Sequence, residues 1–324
     1  MRRREFIAGL GGAAAWPVVA RAQQRTLPII GLLDATPPGS NADPLRAFHQ
    51  GLKETGYVEG ENVGISYRFA ENQVDRLTEL ANDLVRRRVT VITTSGNGVF
   101  AAKKATATIP IVFMVADDPV SLGLVASLAR PGGNLTGVNF LNAELSAKRL
   151  ELLREFVPTA TRIAVLVTPS GTSTASTIAS LDANARVAGL DIEVFKVGTS
   201  QEIDAAFTSI ARQHTDAVFV SPDPFFRSRR VQLTHLATRH AIPATYALRD
   251  YCDAGGLMSY GASLSDAYRQ IGVYTGKILS GAKPSDLPIV QATKFELVIN
   301  AQAARILGIT IPSSLLARAD EVIE

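Results

Sequence analysis

Arg162-Ile-Ala-Val-Leu-Val167, the stretch from Thr174 to Ala188, Ile192-Glu-Val-Phe-Lys-Val197, the stretch from Ser200 to Arg212, and Ala217-Val-Phe-Val220 follow one another in close succession. The first, third and fifth are short apolar runs of strand length, and the second and fourth are longer and carry helical spacing. Strand, helix, strand, helix, strand is the order of a parallel sheet covered by helices on both faces. Ser200 is expected to cap its helix, with Glu202 and Asp204 placing acid in the first turn. A further helix is expected over Ser228–His240.

Working back along the chain, the same order appears once more. Pro28–Leu33 reads as a strand, and Asp43 caps a helix with Pro44 at its first position that ends at Thr55-Gly56. Val63, Ile65, Tyr67 and Phe69 alternate along a second strand, and Val74, Leu77, Leu80, Ala81, Leu84 and Val85 have helical spacing. Val89–Thr93 and Ile111–Val115 are short and apolar enough to be buried on both faces, as parallel strands are. A short helix from Val99 runs between them, and Pro131-Gly132-Gly133 separates the two blocks. At 324 residues and 46% hydrophobic, the chain exceeds what one core serves. The expected fold is α/β, with two doubly wound parallel-sheet lobes.

Such sheets present ligand loops at the carboxyl ends of their strands. Here those loops are Asp34–Pro38, Ser95–Gly98, Ala116–Pro119, Thr168–Ser173, Ser221–Phe226 and Tyr246–Asp250. Two facing lobes would bring them together in one cleft. Asp118, Asp223 and Asp250 put carboxylates at three strand ends, and Phe225, Phe226, Tyr246 and Tyr260 add aromatic surface, of which two are expected to line the cleft.

Gly96-Asn97-Gly98-Val99-Phe100-Ala101 fits the G-x-G-x-x-A of a dinucleotide site, with Asp117 about twenty residues on as a ribose-binding acid. An exported NAD(P)-dependent oxidoreductase is therefore one alternative. Against it, the motif follows the third strand instead of the first, and Ile109-Pro110 cuts the helix short. The other reading is a helix-start ligand loop, in which Ser95 and backbone N–H groups hold a carboxylate. Nucleophilic catalysis has little support: Gly256-Leu-Met-Ser259-Tyr-Gly261 has the wrong spacing for a nucleophile elbow. None of His49, His214, His235 and His240 falls in a strand-end loop, and an acidic neighbour, Asp253, argues against a reactive Cys252 thiolate. No cofactor, metal or catalytic residue is expected.

The N-terminus supplies the context. Arg3-Arg4-Glu5-Phe6-Ile7 precedes an uncharged apolar run, and Ala20-Arg21-Ala22 offers a small-x-small cleavage site. Residues 1–22 are read as an export signal cleaved after Ala22, and the paired arginines resemble the twin-arginine type, with a general secretory signal as the alternative. The run is too short to span a membrane, and no cysteine directly follows the cleavage site to take a lipid. The whole chain has 33 Lys+Arg and 30 Asp+Glu, a net charge of +3. Four of those basic residues and one of the acidic ones lie within residues 1–22, which leaves the rest neutral and gives no reason to expect a nucleic-acid partner. The basic clusters Arg86-Arg87-Arg88 and Arg227/Arg229/Arg230 read as solvated helix faces. Cys252 is the single cysteine, so no internal disulfide forms.

Several motifs carry a resemblance. Gly132-Gly-Asn-Leu-Thr-Gly137, Pro222-Asp-Pro-Phe225, Tyr246-Ala-Leu-Arg-Asp250, Ala254-Gly-Gly-Leu-Met-Ser-Tyr-Gly261 and Thr293-Lys-Phe-Glu-Leu-Val-Ile-Asn300 resemble the tryptophan/tyrosine-type substrate-binding proteins of ABC transporters, over nearly the whole chain after residue 22. That resemblance implies the type I periplasmic binding-protein fold, with crossings near Val138–Leu141, Ala254–Met258 and Val290–Lys294. The lobes would be residues 23–140 with 256–290, and 141–255 with 291–324. It also implies a periplasmic monomer that hands an amino acid or aromatic carboxylate to an ABC permease of the inner membrane, or a sensing subunit built on the same fold. Asp118 or Asp223 would take the ligand's ammonium, and Ser95, Asn97 or Thr172 its carboxylate. Thr36, Gly96, Pro119, Phe140, Ser170, Phe225, Tyr246 and Asp250 complete the expected ligand set. Ser170-Gly-Thr-Ser173 departs from the Asn-Pro-rich loop of many relatives.

Overall fold

The computed structural model describes residues 27–141 and 145–324; the expected export signal lies outside them. The chain builds β1 (Ile29–Asp34), α1 (Ala42–Glu54), β2 (Gly64–Phe69), α2 (Arg76–Arg86), β3 (Val91–Ser95), α3 (Asn97–Ala105), β4 (Ile111–Val115) and β5 (Leu135–Asn139). After a crossing come α4 (Ser146–Phe156), β6 (Arg162–Val167), α5 (Thr174–Ala188), β7 (Asp191–Lys196), α6 (Ser200–Arg212), β8 (Ala217–Val220), α7 (Pro224–Ser228), α8 (Arg230–Arg239), β9 (Ala244–Tyr246), α9 (Arg249–Asp253) and β10 (Met258–Ala262). The chain ends with α10 (Leu264–Leu279), β11 (Val290–Gln291), β12 (Phe295–Asn300), α11 (Ala301–Ile306), α12 (Ser313–Leu316) and β13 (Glu321–Ile323).

Two sheets result, ordered β11-β5-β4-β3-β1-β2 and β13-β12-β10-β9-β8-β6-β7. Every pairing between named strands is parallel except β10 with β12. The expected pair of doubly wound α/β lobes is the observed architecture. Strands β3 and β4 are buried almost throughout: β4 is an unbroken apolar run, and β3 buries Thr93 and Thr94 beside Val91 and Ile92. In the first lobe Leu77, Leu84, Val99 and Phe113 fill one face of the sheet, and Phe48, Leu52 and Ile271 fill the other. In the second lobe Phe207, Phe226 and Leu233 pack one face, and Leu153, Leu181 and Phe219 the opposite one.

Three local expectations are corrected. Helix α6 is capped by Thr199, one residue before Ser200, because the Thr199 hydroxyl accepts from the Glu202 N–H while Glu202 closes a reciprocal capping box. The expected helix Ser228–His240 is α8, which starts two residues later at Arg230, because Ser228 ends the separate short helix α7. The second crossing is not at Ala254–Met258, since β10 pairs with β9 and β12 inside the second sheet. The chain returns to the first lobe at Ser263, which caps α10 through the Asp266 N–H.

Both sheets reverse their winding at one place. In the first, β1 lies between β2 and β3, and in the second, β6 lies between β7 and β8. The loops leaving β1 and β3 in one lobe, and β6 and β8 in the other, therefore diverge and leave a crevice at the strand ends. The fold places two such crevices face to face.

Candidate functional site

Asp34 and Ser95 close β1 and β3, so both lie at the first lobe's crevice. Asp34 is only 4% exposed. Its Oδ1 accepts from the Thr36 N–H and the Thr36 hydroxyl, each at 2.8 Å, and its Oδ2 accepts from the Asn41 side-chain amide. These three bonds satisfy the acceptor oxygens of a carboxylate that has little contact with water. Gly96 follows with φ 54°, a backbone conformation that costs a residue with a Cβ, and this sharp entry aims the start of α3 at the cleft.

From the second lobe, Thr168 follows β6 and Asp223 follows β8. The Asp223 carboxylate caps α7 by accepting from the Phe225 N–H at 2.8 Å, and it accepts from the Thr168 hydroxyl at 2.7 Å. Burial pushes its carboxyl above the ordinary carboxylate range, and these two bonds offset part of that rise.

Between the lobes is a cavity of about 710 Å³, counting its open mouth. Asp34, Thr36, Asn41, Ser95 and Gly96 line it from the first lobe, with Met114, Phe140 and Tyr268 adding apolar surface. Thr172, Asp223 and Arg227 line it from the second, with Pro222, Pro224 and Leu248. A few polar groups on an apolar wall suit a small organic ligand. A second chamber opens off it past Gly96, Thr172 and Asp223, where Asn97, Ser170 and Phe225 lie.

The lobes also touch directly. The Asn97 side-chain amide donates to the Ser170 carbonyl at 3.0 Å, and the Ser176 hydroxyl donates to Asp117 Oδ1 at 2.8 Å. Arg227 reaches from α7 to the Ser40 carbonyl at 3.3 Å and to Asn41 Oδ1. The cleft is closed.

Of the residues expected from sequence, Thr36, Ser95, Gly96, Phe140, Thr172 and Asp223 meet at the central cavity, and Asn97, Ser170 and Phe225 at the adjoining chamber. The remaining four lie elsewhere. Asp118 turns its carboxylate back onto the N–H groups of Val120 and Ser121, and Pro119 is buried in that same turn. Tyr246 is fully enclosed in the second lobe's core, stacked on Tyr251 at 4.5 Å. Asp250 pairs with Arg227 Nε at 2.7 Å instead of facing the cavity. Of the four aromatics considered, Phe225 alone lines one of these two spaces; Phe226 and Tyr246 are core, and Tyr260 packs in the C-terminal cluster.

Sequence reasoning missed Asp34, Asn41, Arg227 and Tyr268 as cleft residues. Asp34 lies within the strand-end loop Asp34–Pro38, but sequence alone does not distinguish it from the later carboxylates Asp118, Asp223 and Asp250. Arg227 carried the opposite signal, a basic cluster on a helix, yet its side chain is only 12% exposed. Tyr268 comes from α10, whose return to the first lobe places it over β3 and β4.

The glycine motif forms the start of α3, a helix of nine residues. Asp117, the would-be ribose acid, is engaged by Ser176 across the cleft and is pushed above the ordinary carboxylate range by burial. Burial likewise pushes the Cys252 thiol up to about 12, which keeps it protonated and unreactive. Among the described residues there is no group of three or more His, Cys, Asp or Glu placed to hold a metal ion. Among them, too, no helix is long and apolar enough to cross a membrane.

A family model described as ABC transporter substrate binding protein matches residues 40–323. A tyrosine-binding protein of Clostridioides difficile is 26% identical over 264 residues, which are 81% of this chain and 75% of the relative. A Streptococcus pneumonia ABC domain solved in complex with L-Trp superposes with a TM-score of 0.84 at 27% identity, covering 92% of this chain and 100% of the other. A substrate-binding protein with adhesive properties from Clostridium difficile, solved ligand-free and open, covers 92% and 99% at 25% identity, but with a TM-score of 0.64. The chain thus follows the tryptophan-bound relative more closely than the open one at nearly equal identity, in keeping with its interlobe hydrogen bonds.

Proposed function

Because the chain belongs to the ABC transporter substrate-binding protein family and has the type I periplasmic binding-protein fold, we propose that it captures an aromatic amino acid between its lobes and presents it, closed, to an ABC permease. The observation that carries this reading is the convergence of side chains from both lobes on one cavity. A ligand held there completes its contacts only when the lobes meet, so binding selects the closed arrangement that a permease distinguishes from the open one.

In this reading the ammonium lies between the carboxylates of Asp34 and Asp223. The carboxylate is taken by Ser95, Thr172 and the first-turn N–H groups of α3, where the helix dipole favours an anion. The aromatic side chain packs on Met114, Phe140 and Tyr268. No step of turnover is assigned to the cleft. The protein acts as a monomer outside the cytoplasm, where an export signal over residues 1–22 would deliver it.

A thermal-shift screen against L-tryptophan, L-tyrosine, other amino acids and aromatic acids without an ammonium tests the proposal. A true ligand at 100 times its Kd adds about 2.7 kcal/mol of stability. Aromatic amino acids should raise the Tm and the ammonium-free acids should not. A screen in which no amino acid moves the Tm would sink it.

A further inference from the structure

A chain of polar contacts runs from the second lobe into the first. Asp250 Oδ2 accepts from Arg227 Nε at 2.7 Å, and both residues belong to the second lobe. From Arg227, Nη1 crosses the cleft to the Ser40 carbonyl at 3.3 Å and to Asn41 Oδ1. Asn41 then gives its Nδ2 hydrogens to Asp34 Oδ2 and, at 3.1 Å, to the Thr36 hydroxyl. Asn41 is itself buried.

The direction of each bond matters. A side-chain amide has one accepting end and one donating end. With a guanidinium on Oδ1, only the Nδ2 end is left to face the Asp34 carboxylate, which is the orientation that a carboxylate favours. Arg227 at one end of the amide and Asp34 at the other select the same orientation, so each contact strengthens the other. Without Arg227, Asn41 is left with its oxygen unpartnered and a weaker hold on Asp34. Asp250 works at the other end. Because it shares a lobe with Arg227, it keeps the guanidinium aimed across the cleft whether the lobes are apart or together, so little ordering is left for closure itself.

We propose that Arg227 is a cross-cleft latch and a positioning residue: its docking on Asn41 fixes the amide that orients Asp34, which makes lobe closure and completion of the first lobe's ligand contacts one event. Asp250 holds the latch ready, and Asn41 is its catch. The inference rests on reading the cleft as the ligand site, but the latch also acts without ligand and holds a measurable closed fraction by itself. Lysine at 227 would not serve. A single ammonium lacks the planar fork that spans Asp250 on one side and Asn41 with Ser40 on the other.

The test is a lobe-to-lobe distance distribution from spin labels at Glu61→Cys and Val187→Cys, both exposed sites on opposite lobes; the buried Cys252 takes no label. It is read in the full protein without ligand and with saturating L-tryptophan, together with the L-tryptophan Kd and the thermal unfolding of each variant. Arg227→Lys and Asn41→Ala should each shrink the closed fraction and weaken L-tryptophan about tenfold, the scale of one lost charge-assisted hydrogen bond. The double variant should be little worse than either single one, because both break the same contact. Asp250→Asn should give a partial loss with the same sign. Closed fraction and Kd within twofold of the parent in both single variants, or losses that simply add, would overturn the latch. So would a parent protein with no closed fraction in the absence of ligand. Failure of L-tryptophan to close the parent would instead overturn the ligand reading, while the ligand-free distributions still decide the latch.

Discussion

Asp223 meets two opposed demands. Burial raises its carboxyl above the ordinary range, so the folded protein takes up this proton more readily than the unfolded chain does. The contribution of such a group to stability falls as pH rises from the ordinary carboxylate range through the raised value. At pH 7 the ionised Asp223 therefore costs the ligand-free protein stability, and a ligand ammonium beside it would relieve that cost. Asp223→Asn is accordingly expected to raise the ligand-free Tm at pH 7, with a gain that shrinks on acidification, because asparagine can still cap α7 and pair with Thr168. The same substitution should weaken L-tryptophan about tenfold at pH 7. In the parent, affinity should be present above the raised pKa and fall as pH drops through it; in the variant that decline should be missing. Calorimetric titration across pH checks both, and an unaltered pH profile in Asp223→Asn would remove the residue from the ligand's ammonium.

Helices α1 and α10 come together backbone to backbone. A Cβ at Gly51 would lie inside van der Waals contact of the Arg269 carbonyl oxygen, and a Cβ at Gly272 would meet the Phe48 carbonyl oxygen. Two glycines thus set the depth of α10, and α10 carries Tyr268 to the cavity. Gly51→Ala or Gly272→Ala is expected to cost about 1–3 kcal/mol by forcing the helices apart. Either should also weaken the ligand, since the tyrosine moves with its helix. Gly64→Ala, with only an Ile29 side-chain carbon in ordinary contact, is the control expected to change stability by less than about 0.5 kcal/mol. Chemical denaturation with parallel binding measurements separates the three variants; equal stability in all of them would refute the packing argument. The glycine-rich strands also mark where sequence reading stopped. β6, α5 and β8 were legible to the residue because their apolar runs and helical stretches are uninterrupted. β5 and β10 contain Gly137 and Gly261, show no alternation that marks a strand, and are overlapped by the expected crossings only at Val138–Asn139 and Met258. The cleft was legible as a set of loops, because strand ends follow from strand positions. Which carboxylate faces inward was not. Asp118 takes the N–H groups two and three residues on in an Asx turn, a role that competes with ligand binding at every such Asp, and Asp250 pairs with Arg227, which no spacing rule announces.

Each lobe has its own sheet and its own apolar cores on both faces, and the two are joined by the three crossings and by polar contacts across the cleft. Hydrogen bonds such as Asn97 to Ser170 and Ser176 to Asp117 add little cooperative stability compared with the cores on either side. The ligand-free protein should therefore unfold calorimetrically as two overlapping transitions, with a measured enthalpy exceeding the van't Hoff value. A ligand bound by Asp34 and Ser95 from one lobe, and by Thr172 and Asp223 from the other, is lost when either lobe unfolds. Saturating L-tryptophan should then raise both transitions and draw them into one, with the two enthalpies converging, because binding free energy belongs to the state in which both lobes are folded. A site carried by a single lobe would behave differently: one transition would move and the other would stay. Differential scanning calorimetry at increasing L-tryptophan distinguishes the two cases without any substitution, and a single shifting transition would place the ligand's contacts in one lobe.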